Sequence, residues 1–284
     1  MAPPESPAEL AHRYEREKRA VSLQREENLQ IALGPFRVGS VPYLNAAPLT
    51  RGIEDQILLA PPSRLAQLLR EDKLDAALVS VTEVLLTGRY DILDGIAVAS
   101  LGEVKSVFLA HRGPIEAARE IFCDPASLTS VALLKVLLCQ RGLSPSFIPL
   151  PSDGIERLPD YALLIGDPAL DFLRSAHDHQ ILDLGSAWFD LTGLPFVYAV
   201  WALRRGIENT DLRRQLREAR DFGLDTLDSI ISTRPEFDLA FRKDYLGWHI
   251  HYHLGSDEKR GLAKFGELLR TSGFEPVFDP VFVP

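Results

Sequence analysis

The sequence predicts an α/β protein of two lobes with a ligand cleft between them. Three observations predict it. Short apolar segments alternate with helical ones through most of the chain. Polar clusters stand at the C-terminal ends of apolar segments in the first part (Ser40 to Asn45, Ser80 to Glu83) and again in the middle part (Ser127 to Ser130, Gly166 to Asp167). The strongest strand signal, Phe196 to Leu203 (FVYAVWAL), comes late, as expected of a central strand that crosses back into the first lobe. Two α/β lobes facing each other bring all of these polar clusters into one cleft.

Phe36 to Gly39 reads as a short strand, and the turn after it carries Ser40, Pro42, Tyr43, Asn45 and Pro48. An apolar strand that delivers Ser, Tyr and Asn to its C-terminal end is a common way to furnish a pocket. Pro42 and Pro48 fix φ and stiffen the loop, which lowers the cost of holding Asn45 in one pose. The competing reading is a strand-to-helix turn with Asn45 as a cap. Ile57 to Ala60 reads as a strand, Pro61-Pro62 as punctuation, and Ser63 as the cap of a helix from Arg64 to Arg70. Asp75 to Val79 is a short buried strand that ends in Ser80, Val81, Thr82 and Glu83.

Ile92 to Ala99 and Val104 to Ala110, with Gly102 between them, are the candidates for the passage from one lobe to the next. Ile121 to Cys123 precedes Ser127, Thr129 and Ser130, and a helix from Val131 to Gln140 stops at Gly142. Those hydroxyls fall just before or within the first helical turn, where free N–H groups and the helix dipole favour an anion. Plain N-capping by Ser127 or Thr129 is the alternative. Phe147 to Leu150 and Tyr161 to Ile165 are further strands. After the second, Asp167 either caps the turn Ala169 to Leu173 or faces the pocket. Beyond Leu203 the chain is mostly helical, over Asn209 to Phe222, Thr226 to Ile231, Pro235 to Leu246 and Asp257 to Ser272. His249, His251 and His253 of HIHYH alternate, which puts them on one side if the segment is extended. With no Cys or Asp cluster nearby they read as helix-terminal surface residues, and no metal site is expected. The expected lobes are 34–102 with 200–284, and 103–199. Residues 1–33, Pro-rich and then densely charged, form an extension that is either a solvated helix or a loose tail.

Composition narrows the function. The formal net charge is −9, which argues against a nucleic-acid partner and leaves small anions open. No run of about 18 apolar residues occurs, so no transmembrane helix is expected. The charged N-terminus lacks a signal-peptide core, and the two cysteines, Cys123 and Cys139, fit neither a disulfide framework nor a metal spacing. The expectation is a reduced, cytoplasmic protein, with Cys139 a small buried helix residue. There is no Gly-rich nucleotide loop, no HExxH and no Gly-x-Ser-x-Gly elbow. The oligomeric state is open, a homodimer included.

The motifs VGSVPYLNAAPL (38–49), KLDAALVSVTEVL (73–85), GEVKSVFLA (102–110), SLTSVALLKVLL (127–138), ALLIGDPAL (162–170) and WFDLTGLPFVYAVWALR (188–204) resemble, taken together, the MqnA family. These are the chorismate dehydratases of the futalosine route to menaquinone. The resemblance runs from about Phe36 to the C-terminus. It implies a type 2 periplasmic-binding-protein fold used as a cofactor-independent enzyme, with chorismate as the small dicarboxylate substrate. It implies Asn45 as the active-site Asn and Ser106 as a serine that contacts substrate. Thr129 and Ser130 would hold a carboxylate, beside Ser40, Tyr43, Ser80 and Ser127. Glu83 and Asp167 are the candidate bases, although a carboxylate beside a dianion is costly unless its pKa rises. The substrate's own enolpyruvyl carboxylate is the favoured alternative. Leu128 departs from the family pattern, which often has Arg there. Two rival readings remain. A 1,4-dihydroxy-6-naphthoate synthase would share the fold, but its Thr-x-His-Gly motif is lacking. A non-catalytic binding protein for a small carboxylate would share it too.

Overall fold

The computed structural model describes Arg13 and residues 32–124, 127–151 and 157–284. The extension expected over 1–33 therefore lies outside the described residues, apart from Arg13, Ala32 and Leu33. Leu33 is buried and its N–H donates to Gln56 Oε1 at 2.8 Å.

The first strand, β1 (Val38–Ser40), runs into a 3-10 turn at Leu44–Leu49. The edge strand β2 (Ile57–Leu59) leads to α1 (Pro62–Arg70), then β3 (Ala76–Ser80), α2 (Val81–Thr87) and the long β4 (Tyr90–Ser100). The sequence expectation of a Ser63 cap fails, because Pro61 occupies the N-cap and Pro62 the first helical turn. That is a position where proline's missing N–H costs nothing. The chain then crosses to β5 (Val107–His111), β6 (Glu120–Cys123), α3 (Leu128–Gln140), β7 (Ser146–Pro149), β8 (Tyr161–Ile165), α4 (Gly166–Arg174), β9 (Gln180–Asp183) and α5 (Leu184–Thr192). It returns through β10 (Phe196–Arg204) and ends with α6 (Thr210–Asp225), α7 (Leu227–Thr233), α8 (Leu239–Asp244), a wide π-type turn at Tyr245–His249, α9 (Ser256–Thr271) and β11 (Phe282–Val283).

Two sheets result. One has the order β11-β4-β10-β3-β1-β2, the other β7-β6-β8-β5-β9. β10 lies antiparallel between β3 and β4, so the late apolar segment is central to the first sheet. In the second sheet β5 is antiparallel to both β8 and β9, while β6 is parallel to β8. The main core extends through both lobes. Trp188 of α5 stacks edge-on against Phe196 and Phe265 at 5.1 and 5.9 Å, and its indole N–H donates to the Pro195 carbonyl. α5 and α9 are thereby fixed to the returning strand.

The crossings between the sheets are tightly built. Residues 101–106 carry the first, and residues 193–195 precede β10. Asp183, at the end of β9, accepts N–H bonds from Val104, Lys105 and Ser186. A Cβ on Gly185 would lie 2.2 Å from the Gly102 carbonyl oxygen, so only glycine allows this approach. The first crossing displaces the strand start from the expected Val104 to Val107. Cys139 lies near the exposed end of α3 and not in the core as expected; both cysteines are free. Among the described residues no helix is long and apolar enough to cross a membrane.

Candidate active site

A cleft of about 640 Å³, open mouth included, lies between the two sheets. It receives side chains from β3, β4, β8, β10, the turn after β1, the first crossing, the start of α3 and the segment after the π-type turn. Among the polar residues expected from sequence, Tyr43, Asn45, Ser80, Ser106, Ser127, Thr129 and Ser130 all line it. Apart from Tyr198 the rest of its lining is apolar or glycine, with Leu128 among the residues, and among the described residues no Asp, Glu, Lys or Arg contributes.

Asn45 sits within the 3-10 turn and does not act as a helix cap. Its side-chain amide donates to the Tyr245 hydroxyl at 3.2 Å. Tyr245 has no exposed surface. Burial pushes its phenol well above the usual range, and the neighbouring Ser106 and Asn45 side chains offset this only in part. The phenol is therefore a fixed neutral group at neutral pH. Nothing in the sequence around Tyr245 marks it out; it reaches Asn45 across 200 positions of chain, through the wide turn that follows α8. Turns of this type are frequent at functional sites. Tyr198 also lines the cleft, bound to Ser100 Oγ at 3.0 Å.

The facing side is different. Ser106 is buried, and its backbone is fixed by the Gly166 N–H donating to its carbonyl at 2.8 Å. The Ser127 hydroxyl is buried without a hydrogen-bond partner, and the buried Ser106 hydroxyl lies beside the Tyr245 phenol. Ser127 occupies the N-cap of α3 but makes no side-chain cap bond, so the capping alternative does not account for it. Buried polar atoms normally find partners, and orphans that line a cleft are satisfied by what enters it. Thr129 is already engaged: its Oγ1 lies 3.1 Å from Thr82 Oγ1 and accepts the Thr82 N–H at 3.3 Å, a bond from α3 to α2 across the lobes. Ser130 lies in the first turn of α3 with no cap role of its own.

The remaining expected residues fall elsewhere. Ser40 is buried in the body of the first sheet, outside the cleft lining. Glu83 is buried on α2 and faces Arg70 at 3.1 Å, away from the lining. Burial raises its pKa while Arg70 and Arg89 pull it down. Asp167 neither caps a turn nor lines the cleft: its carboxylate accepts the Leu44 N–H at 3.2 and 3.3 Å, a second tie between lobes. Burial pushes its pKa up to about 6. Gly166 beside it has φ +64°, and an added Cβ would meet the Tyr43 ring at 3.1 Å. Tyr43 itself is raised to about 12, by burial first and then by Asp124 and Asp167.

Two α/β sheets joined by paired crossings around an uncharged cleft define a periplasmic-binding-protein-like fold. The periplasmic aliphatic sulphonate binding protein SsuA of Escherichia coli superposes with a TM-score of 0.56 at 12% identity, over 88% of this chain and 93% of that one. At that identity the likeness is one of fold alone. Sequence is more specific. The family described as menaquinone biosynthesis matches residues 36–271, and the chain belongs to it. A chorismate dehydratase of Thermus thermophilus is 34% identical over 273 residues, 87% of this chain and 99% of that one. A second, from Campylobacter jejuni, is 27% identical over 78% of this chain and 88% of its own length.

Proposed function

We propose that the protein is a chorismate dehydratase of menaquinone biosynthesis, converting chorismate into 3-[(1-carboxyvinyl)oxy]benzoate and water. Beside family membership, the observation that carries this reading is the uncharged cleft with the unpartnered Ser127 hydroxyl on one wall and a braced Asn45 on the other. The same neutrality suits a dianion that must supply its own base.

The chemistry is redox-neutral and its driving force lies in the substrate. The ring C3 proton is acidified through C1=C2 by the ring carboxylate. The electrons of the C3–H bond become the C3=C4 bond, the C4–O bond breaks, and the oxygen leaves as hydroxide. Hydroxide takes up the proton and departs as water, leaving an aromatic ring. The protein's share is to orient the substrate and stabilise charge where it moves.

In this scheme Asn45 keeps one amide hydrogen beyond the one given to Tyr245, and donates it to the departing C4 oxygen. Tyr245 is a positioning residue that holds the amide in that pose. The Ser106 and Ser127 hydroxyls donate to the substrate. The free N–H groups at the start of α3, around Thr129 and Ser130, receive a carboxylate, aided by the helix dipole. Glu83 and Asp167 stand off the lining and are otherwise engaged, so the enolpyruvyl carboxylate is the base we assign. We divide the chain into lobes 34–102 with 200–284, and 103–199, and place the reaction in the cytoplasm, in keeping with two unpaired cysteines.

The test is direct. Purified protein incubated with chorismate should abolish the diene absorbance and give one equivalent of the aromatic ether. Chorismate that survives, bound or unbound, would overturn the reading.

A further inference from the structure

The histidines of HIHYH take no part in the cleft, and the structure separates them. His249 closes the wide turn, with its Nδ1 2.9 Å from the Glu103 carbonyl. His251 lies in an extended segment pinned to β4, where its N–H donates to the Ala99 carbonyl at 2.7 Å and its carbonyl accepts the Ala99 N–H at 3.0 Å. Extended backbone places residues two apart on one side. The His251 and His253 rings accordingly stack, with centroids 5.5 Å apart and planes 13° from parallel. The chain then turns into α9, whose third residue, Glu258, points back toward them.

Glu258 is 3% exposed, which is unusual for a carboxylate. Its Oε2 accepts the Gly255 N–H at 2.9 Å, and its Oε1 lies 3.1 Å from His253 Nε2. One donor atom from each of His251, His253 and Glu258 lies within 4.8 Å of the others. His251 Nδ1 is buried without a hydrogen-bond partner. The sequence reading missed this group because Glu258 lies beyond the helix boundary, in a different element from the histidines.

We propose that His251, His253 and Glu258 bind one divalent transition-metal ion of the zinc class. Two imidazole nitrogens and one carboxylate oxygen are the donors such ions take. Calcium and magnesium prefer all-oxygen shells. The His253–Glu258 separation of 3.1 Å is close to the edge of a tetrahedral zinc shell, about 3.4 Å for bonds near 2.1 Å. His253, whose side chain is 61% exposed, is free to turn toward an ion. The other ligands are already oriented, His251 by its paired backbone bonds to Ala99 and Glu258 by the Gly255 N–H. The N-terminus of α9 opposes a cation, and the carboxylate of Glu258 sits there to offset it. Water takes the fourth position on the exposed side. The bound ion would clip α9 to the segment whose preceding residue, Ile250, lines the cleft. The site stands independently of the dehydratase reading.

Metal-stripped, untagged full-length protein titrated with zinc chloride by calorimetry should bind one equivalent, and cobalt(II) should give the intense visible bands of a tetrahedral site. Zinc should also raise Tm. His253→Ala, at an exposed position, should fold as the parent does and weaken zinc binding about tenfold or more. Glu258→Gln keeps an oxygen for the Gly255 N–H and should weaken binding likewise. The proposal is overturned by no saturable binding below millimolar zinc, or by unchanged affinity in both variants.

Discussion

The two walls of the cleft are built on opposite principles. On the first-lobe wall Asn45 is braced before any substrate arrives, by a phenol with no solvent exposure and by a turn that contains Pro48. On the second-lobe wall Ser127 is buried with no protein partner. A braced group has lost its entropy in advance and acts at full strength in the transition state. A hydroxyl without a protein partner is free to bond to what enters the cleft. On the proposed function, the contrast would separate the wall that accelerates from the wall that holds.

The largest effect should come from breaking the braced wall. Asn45→Ala should lower kcat by about 10²- to 10³-fold, as removal of one preorganised donor does, with little change in KM. Tyr245→Phe should cost a smaller factor in kcat, because the amide remains but loses its anchor. Steady-state assays of chorismate consumption measure both. Equal losses in kcat and KM terms for Asn45→Ala would contradict the division of labour.

Removing the unpartnered hydroxyl should do the reverse. Ser127→Ala should weaken kcat/KM about three- to tenfold, the worth of one hydrogen bond, chiefly through KM. It should not lower Tm, since it deletes a buried hydroxyl that has no protein partner. A thermal scan beside the kinetics decides it: a clear drop in Tm would mean this hydroxyl has a protein partner.

Thr129 belongs to neither wall alone, since its hydroxyl ties α3 to α2 through Thr82. Thr129→Val keeps the shape and leaves Thr82 unsatisfied, so unfolding free energy should fall by about 1–3 kcal/mol in urea titrations. Unchanged stability would show that the tie is dispensable.

How much of this was legible depends on how far apart in the chain the partners lie. The alternating apolar segments, the central return strand Phe196–Arg204 and the polar strand ends are local patterns, and they located the sheets and most of the cleft lining. Tyr245 was not legible, because a lone tyrosine in a helical stretch carries no pattern and its link to Asn45 exists only in three dimensions. Asp167 and Thr129 were legible as polar residues near the site but not as ties between lobes, since a hydroxyl or carboxylate reads alike whether it meets ligand or backbone. Glu83 misled because a carboxylate at a strand end looks functional until Arg70 is placed beside it.

The tie at Asp167 gives the smallest expected effect and the finest test of how the walls are held together. Its native pKa, near 6, lies above the ordinary value of 3.8, with burial the leading cause. The native state therefore binds this proton more tightly than the unfolded chain does. Linkage fixes the sign: between about pH 4 and 6 the unfolded state carries fewer protons at this group, so its contribution to stability falls as pH rises. Asp167→Asn removes the titration. The Tm of the parent minus that of the variant should decline from pH 4 to 6 and be level above it. A difference that stays flat across that window would mean that the Leu44 N–H stabilises the carboxylate as fully as burial destabilises it, and that the two lobes are joined here without strain.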